Sequence, residues 1–272
     1  MSENSNGSGP MNGRLIIIGG HEDKKHDKKI LEEVCREAIE KSGVLVVVTV
    51  ATQQPEEVSE EYTNLFQGMG VPRVETIDVR ERQEAKDEEY VRILDDAAVI
   101  FFTGGDQLRI TSQIGDSIVF QRMRDLFKNG GTIAGTSAGA AAMPETMIIG
   151  GPSEESNRTS SLSMAPGLGY LRNVVIDSHF AERGRIGRLL GAVAQNPRTL
   201  GLGIDEDTAI VTEGTERFRV IGSGAVYVVD GQDISYSSLS EKSSGGIVTM
   251  HNVRLHVLGD GDEFDLVNRQ PI

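Results

Sequence analysis

The chain has 272 residues, 38% hydrophobic and 25% charged, and its 27 Lys and Arg against 41 Asp and Glu give a formal charge of −14. This composition suits a globular protein able to build a core, and it argues against the basic face of a nucleic-acid binder. No apolar run reaches the roughly 18 residues that a membrane helix needs, and the lone cysteine cannot close an intramolecular disulfide, which fits a reducing cytoplasm.

The opening MSENSNGSGPMNG has neither a positive n-region nor an apolar h-region, so residues 1–13 are expected to be a disordered tail before a single α/β domain over 14–272. RLIIIGG, from Arg14 to Gly20, is a continuous apolar run ending in a glycine pair, the pattern of a buried parallel strand. His21 to Asp23 is expected to open a helix, with Ile30, Leu31, Val34, Ala38 and Ile39 as its sheet-facing stripe. Cys35, beside that stripe, reads as a buried, inert thiol. His21 and His26 are five apart, which is not the i, i+4 spacing of a zinc-binding helix, so a solvated helix start is expected and no metal.

GVLVVVTVAT, from Gly43, is the second strand, Val58–Met69 a helix, Val74–Val79 a strand and Glu88–Ala97 a helix. Ala98–Thr103 is a strand ending in Gly104-Gly105-Asp106-Gln107, and an interrupted helix follows over Leu108–Leu126. Buried strands alternating with helices imply a parallel sheet with right-handed crossovers. Thr132, Ile133 and Ala134 then lead into Gly135-Thr136-Ser137-Ala138-Gly139 and small helix formers. This is G-x-S-x-G in a strand–turn–helix setting, which would hold the Ser137 hydroxyl up on a sharp turn.

Residues 151–163 form a polar stretch too long for a minimal connection. Asn173–Ile176 is a strand leading to Asp177-Ser178-His179-Phe180, and the helix expected after it carries Arg183, Arg185 and Arg188. Thr199–Ile204 is a strand ending in Asp205-Glu206-Asp207. Beyond Ala209, alternating segments joined by glycine turns predict antiparallel hairpins. His251 and His256 would face opposite sides of one strand, and Gly259-Asp260-Gly261-Asp262 reads as a hairpin turn.

Open parallel sheets bind ligands beyond the carboxyl ends of their strands. Ser137, His179 and the Asp205–Asp207 acids all follow strands, so a nucleophile, a base and an acid are expected at one rim. Spacing does not choose among the three acids. The N–H groups of Gly105 and Ala138 are placed to hold an oxyanion.

The segments IIIGGHEDK, FFTGGDQLR, AGTSAGAAAM, DSHF with its following arginines, and GLGIDED together resemble the cyanophycinase family. These are serine hydrolases related to peptidase E within the class I glutamine amidotransferase-like group. The resemblance runs from about Leu15 to the region of Leu258. It implies a three-layer flavodoxin-like sheet flanked by helices, a cytoplasmic homodimer and no cofactor. It also implies hydrolysis of cyanophycin, a polyaspartate with arginine in isopeptide linkage, to β-Asp-Arg dipeptides. Ser137 and His179 match the family's nucleophile and base, and Glu206 its third member. By the same matching Gln107, Asn157, Asp177, Arg183, Arg185 and Arg188 line the substrate pocket, with Ser178 standing where the family commonly has glutamine. Nearby arginines suit the free carboxylates of such a polymer, and an acidic protein suits its guanidinium groups. Two other readings are a peptidase E-like dipeptidase acting on Asp-initiated peptides and a non-catalytic flavodoxin-like binding module. Glutamine amidotransfer is disfavoured, because that chemistry normally uses cysteine where Ser137 stands.

Overall fold

A computed structural model describes residues 13–150, 162–239, 241 and 247–272; residues 1–12 of the expected tail, most of the 151–163 loop and Asn157 lie outside the described residues, while Gly13 is buried and belongs to the domain. The first half alternates strands and helices: β1 (Arg14–Ile18), α1 (Lys29–Glu40), β2 (Val44–Val48), α2 (Pro55–Gly68) and β3 (Arg73–Ile77). It continues through α3 (Glu88–Asp95), β4 (Ala97–Phe102), α4 (Gln107–Ile114), α5 (Ile118–Lys128), β5 (Thr132–Thr136) and the single turn α6 (Ala138–Ala141). Next come β6 (Thr146–Gly150), β7 (Ser163–Pro166), β8 (Val174–Ser178), α7 (Ile186–Gln195) and β9 (Leu200–Ile204). The rest is β10 (Thr208–Glu213), β11 (Arg217–Gly222), β12 (Val226–Asp230), β13 (Tyr236–Ser237), β14 (Met250–His251), β15 (Arg254–Leu258), β16 (Glu263–Asp265) and β17 (Gln270–Pro271).

Nine strands form the main sheet in the order β17-β16-β11-β10-β1-β5-β4-β2-β3. From β1 to β3 every pairing is parallel, and from β10 outward every pairing is antiparallel. The apolar runs are continuous because β1 is buried on both faces. Leu15 and Ile17 pack into one core cluster with α4, α5 and the second sheet, while Ile16 and Ile18 pack into another with α1 and α2. That is the alternation a two-sided strand must show.

The second sheet is the main departure from the sequence reading. Strands β15-β12-β9-β8 form a separate four-stranded sheet, in which β8 and β9 are parallel. One face of it (Val174, Ile176, Leu200, Leu202, Val226, Val228) joins the core beneath the main sheet. The other face meets α7 through Val175, Val229, Leu189 and Val193. The expected rim of a single parallel sheet is therefore a junction between two sheets.

Local corrections have local causes. No helix starts at His21. The Asp23 carboxylate accepts the N–H groups of Lys25, His26 and Lys28 at 2.9, 3.0 and 3.1 Å, which holds the segment in a turn and delays α1 to Lys29. Arg183 and Arg185 lie in the turn before α7, and only Arg188 is helical. His251 and His256 belong to different strands. Gly259–Asp262 turns the chain from the four-stranded sheet into the nine-stranded one, so it closes no hairpin. Cys35 is buried as expected, and burial pushes its thiol up to about 12.

Candidate active site

The carboxyl end of β1 gathers the site. Three consecutive carbonyls accept three backbone N–H groups: Ile18 from Ser137 at 3.0 Å, Gly19 from His179 at 2.8 Å and Gly20 from Asp207 at 2.8 Å. Ser137 arrives from β5 in the main sheet, His179 from β8 and Asp207 from β9 in the second sheet. One short extended segment thus sets the backbone positions of all three arms. It tolerates little bulk, since a Cβ added at Gly20 would lie 2.3 Å from His179 Cε1, and one at Gly19 would lie 2.0 Å from the Asp205 carbonyl oxygen. Gly20 also holds φ at 109°, a value that L side chains rarely adopt.

Ser137 sits between β5 and α6 at φ 55° and ψ −109°, a strained conformation for a residue with a side chain. A buried brace stands behind it. Glu22, only 4% exposed, accepts the hydroxyls of Tyr62 at 2.5 Å and of Thr136, the residue before Ser137, at 2.7 Å. Ala138 opens α6, so its N–H has no carbonyl within the helix to bond. A Cβ at Gly104 would lie 3.4 Å from Ser137 Cβ, so Gly104 lies beside the serine, while Gly105 packs on Ala51 and Thr52.

Ser137 Oγ lies 2.8 Å from His179 Nε2, and His179 Nδ1 lies 2.7 Å from Glu206 Oε1. A carboxylate only accepts, so Nδ1 carries the proton and Nε2 presents its lone pair to the hydroxyl. Burial, the largest influence on His179, holds its imidazole below the ordinary histidine range. Arg183 and His21 push the same way, and they and burial together outweigh Glu206. On Glu206 the desolvation that raises its carboxyl is outweighed by hydrogen bonds from His179 and His21, so it titrates below its usual value. A neutral imidazole beside an ionised carboxylate can take a proton from a hydroxyl and hold the resulting charge.

The neighbouring acids are engaged elsewhere. Asp205 accepts the N–H groups of Ala181 and Ala225 at 2.9 and 3.1 Å. Asp207 accepts the Asp23 N–H at 2.9 Å and the Ser223 hydroxyl at 2.7 Å. Glu206 is the acid that reaches the imidazole. Its second oxygen, Oε2, bonds His21 Nδ1 at 2.7 Å, a contact the sequence reading missed. The available signal was position, because His21 directly follows the glycine pair that ends β1.

His21, His179 and Glu206 form the one group of His, Cys, Asp or Glu, among the described residues, whose ligand atoms could surround a metal ion, all within 4.8 Å of one another. Two of these separations are hydrogen-bond distances of 2.7 Å. Tetrahedral ligands about 2.1 Å from a zinc ion stand roughly 3.4 Å apart. As arranged, the cluster fits protons better than a metal.

The residues matched to a substrate pocket divide into two groups. Asp177 is 1% exposed, and its carboxylate takes Arg185 Nη1 at 3.0 Å, Arg188 Nε at 2.8 Å and Arg188 Nη2. Arg185 also donates to the Ser178 carbonyl at 2.6 Å. Asp177, Arg185 and Arg188 are therefore bound to one another, while Arg183 is exposed near His179. Gln107 opens α4 and donates to the Ile148 carbonyl at 2.8 Å, and Ser178 is buried at the end of β8.

Residues 15–220 match Peptidase family S51. The cyanophycinase of Geminocystis herdmanii is 39% identical over 259 residues, spanning 95% of this chain and 95% of that protein. The cyanophycinase of a Nostoc species is 38% identical over 256 residues, spanning 94% of this chain and 86% of that one. A crystal structure of a peptidase from an acI-B1 actinobacterium shares the fold at 21% identity, with a TM-score of 0.71 over 95% of this chain and 98% of that one.

Proposed function

The chain belongs to Peptidase family S51, and from that premise we propose that it is a serine-type peptidase that hydrolyses cyanophycin to β-Asp-Arg dipeptides. The observation that carries the reading is the unbroken run of contacts from Ser137 Oγ through His179 to Glu206, at 2.8 and 2.7 Å, in a chain 36–39% identical to proteins named cyanophycinase. His179 Nε2 takes the Ser137 proton as Oγ attacks the scissile carbonyl of the polymer backbone. The N–H groups of Gly105 and Ala138 receive the developing oxyanion. His179 then returns the proton to the leaving amine, and water activated by the same ring releases the acyl group from Ser137. Glu206 keeps the imidazole oriented and balances its transient charge.

Arg183 is the arginine best placed to meet a substrate carboxylate directly, because Asp177 occupies Arg185 and Arg188. Gln107, Asn157 and Ser178 complete the pocket on the strength of the family resemblance. The same resemblance supports a homodimer, and the buried lone cysteine is compatible with the cytoplasm. No helix among the described residues is long and apolar enough to cross a membrane.

Purified protein would be assayed on insoluble cyanophycin and on Asp-Leu, each with wild type and Ser137→Ala. Release of β-Asp-Arg from the polymer alone, abolished in the variant, is the expected result. Cleavage of Asp-Leu alone would replace this reading with an Asp-dipeptidase.

A further inference from the structure

We propose that His21 is a positioning residue of this active site: by holding Glu206 Oε2 it fixes the carboxylate so that Oε1 faces His179. This rests on the Ser137–His179–Glu206 reading and extends it to a fourth side chain. Both oxygens of Glu206 are bonded to imidazoles, each at 2.7 Å. Because the carboxylate only accepts, His21 must carry a proton on Nδ1. Among the described residues His21 is the only group bonded to Oε2, and the Glu206 side chain is 24% exposed at the rim of the site. Without that second bond a glutamate there turns about its terminal torsions toward water, and the orientation of His179 is lost with it.

His21 is 73% exposed, which would ordinarily make such a contact weak. Here the backbone is fixed from both sides. Gly20 accepts the Asp207 N–H, Glu22 is braced by Tyr62 and Thr136, and the Asp23 N–H donates to Asp207. His21 itself sits at φ 47° in the left-handed region, and its ring meets His179 edge-on with centroids 5.2 Å apart. The backbone that carries the ring is therefore already ordered before this hydrogen bond forms. A transition state that places positive charge on His179 benefits from a carboxylate already aimed at it, so the effect belongs in kcat.

The test compares wild type, His21→Phe, His21→Asn and Ser137→Ala on cyanophycin. Phenylalanine keeps the ring and removes the donor. Asparagine keeps a donor close to the Nδ1 position and tolerates left-handed backbone. Expected is a loss of roughly tenfold in kcat for His21→Phe with KM within about twofold, recovered to within about threefold of wild type by His21→Asn, all with unchanged melting. The proposal is overturned by His21→Phe acting like wild type, by a loss confined to KM, or by a loss that asparagine does not recover. If Ser137→Ala remains active, the hydrolase reading itself fails, a result distinct from any of these.

Discussion

The nine-stranded sheet presents Ser137 on a strained residue held inside a wholly buried frame, whereas the four-stranded sheet presents His179 and Glu206 on turns at its rim. All five residues of β5 are buried, and the Glu22 brace fixes the residue before Ser137. In the second sheet, β8 and β9 are equally buried, but their active groups lie just beyond them. His179 is at φ 50°, and Glu206 is partly open to water. A serine on a strained turn after a buried strand therefore meets a histidine and a glutamate that depend on hydrogen bonds made across the junction. The carbonyls of Ile18, Gly19 and Gly20 are what hold one arm to the other.

The largest way to break this comparison is to weaken the second sheet from inside. Asp177→Ala leaves Arg185 and Arg188 without their shared carboxylate at a site 1% exposed. Removing one partner of a buried ion cluster costs about 3–5 kcal/mol. Denaturant melts should show a fall of that size, and a variant as stable as wild type would mean that the arginines find other partners.

Gly20→Ala strikes the junction itself. Its methyl would meet the His179 ring at 2.3 Å, and since the obstacle is a side chain, the ring gives way before the fold does. Displacing a group of the proposed triad by about 1 Å costs on the order of 10²-fold, so kcat/KM should fall by that order, and the φ of 109° should lower melting as well. Gly19→Ala meets unyielding backbone at 2.0 Å and should lower melting further than Gly20→Ala does. A Gly20→Ala variant that keeps wild-type kcat/KM would show that the ring does not move.

The smallest effect is in pH dependence. In the proposed mechanism only neutral His179 can act as the base, so kcat/KM should fall as acid protonates it. Burial places that limb below the ordinary histidine range. Arg183 lowers the same group by its charge. Arg183→Gln should therefore raise the His179 pKa and move the acid limb to higher pH. A limb that stays put or moves to lower pH would contradict this assignment.

Much of the main sheet was legible, because five-residue apolar runs bounded by glycine admit few readings other than buried strands. The division into two sheets was not. VVIDS and LGLGI are short, wholly buried runs like β2 and β5 of the main sheet, and long-range pairing is what separates them. Gly201 and Gly203 in β9 leave room for Leu189 and Phe180, a packing fact invisible in the sequence. The start of α1 is not legible because the acids after His21 look like helix-dipole partners, while Asp23 accepts the N–H groups of Lys25, His26 and Lys28 and holds the segment in a turn. In the site, the strand ends before Ser137, His179 and Glu206 could be read directly. What could not be read was the choice among three consecutive acids, which depends on what Asp205 and Asp207 bond instead. Nor could spacing reveal that Arg185 and Arg188 are taken by Asp177.

The central claim is that groups from two sheets act as one proton-transfer unit. Single-turnover rates on cyanophycin for Ser137→Ala, His179→Ala and the double variant test it most directly. Each single substitution should cost about 10⁶-fold, and the double variant no more than either alone. Losses that multiply in the double variant would show that the two residues act separately.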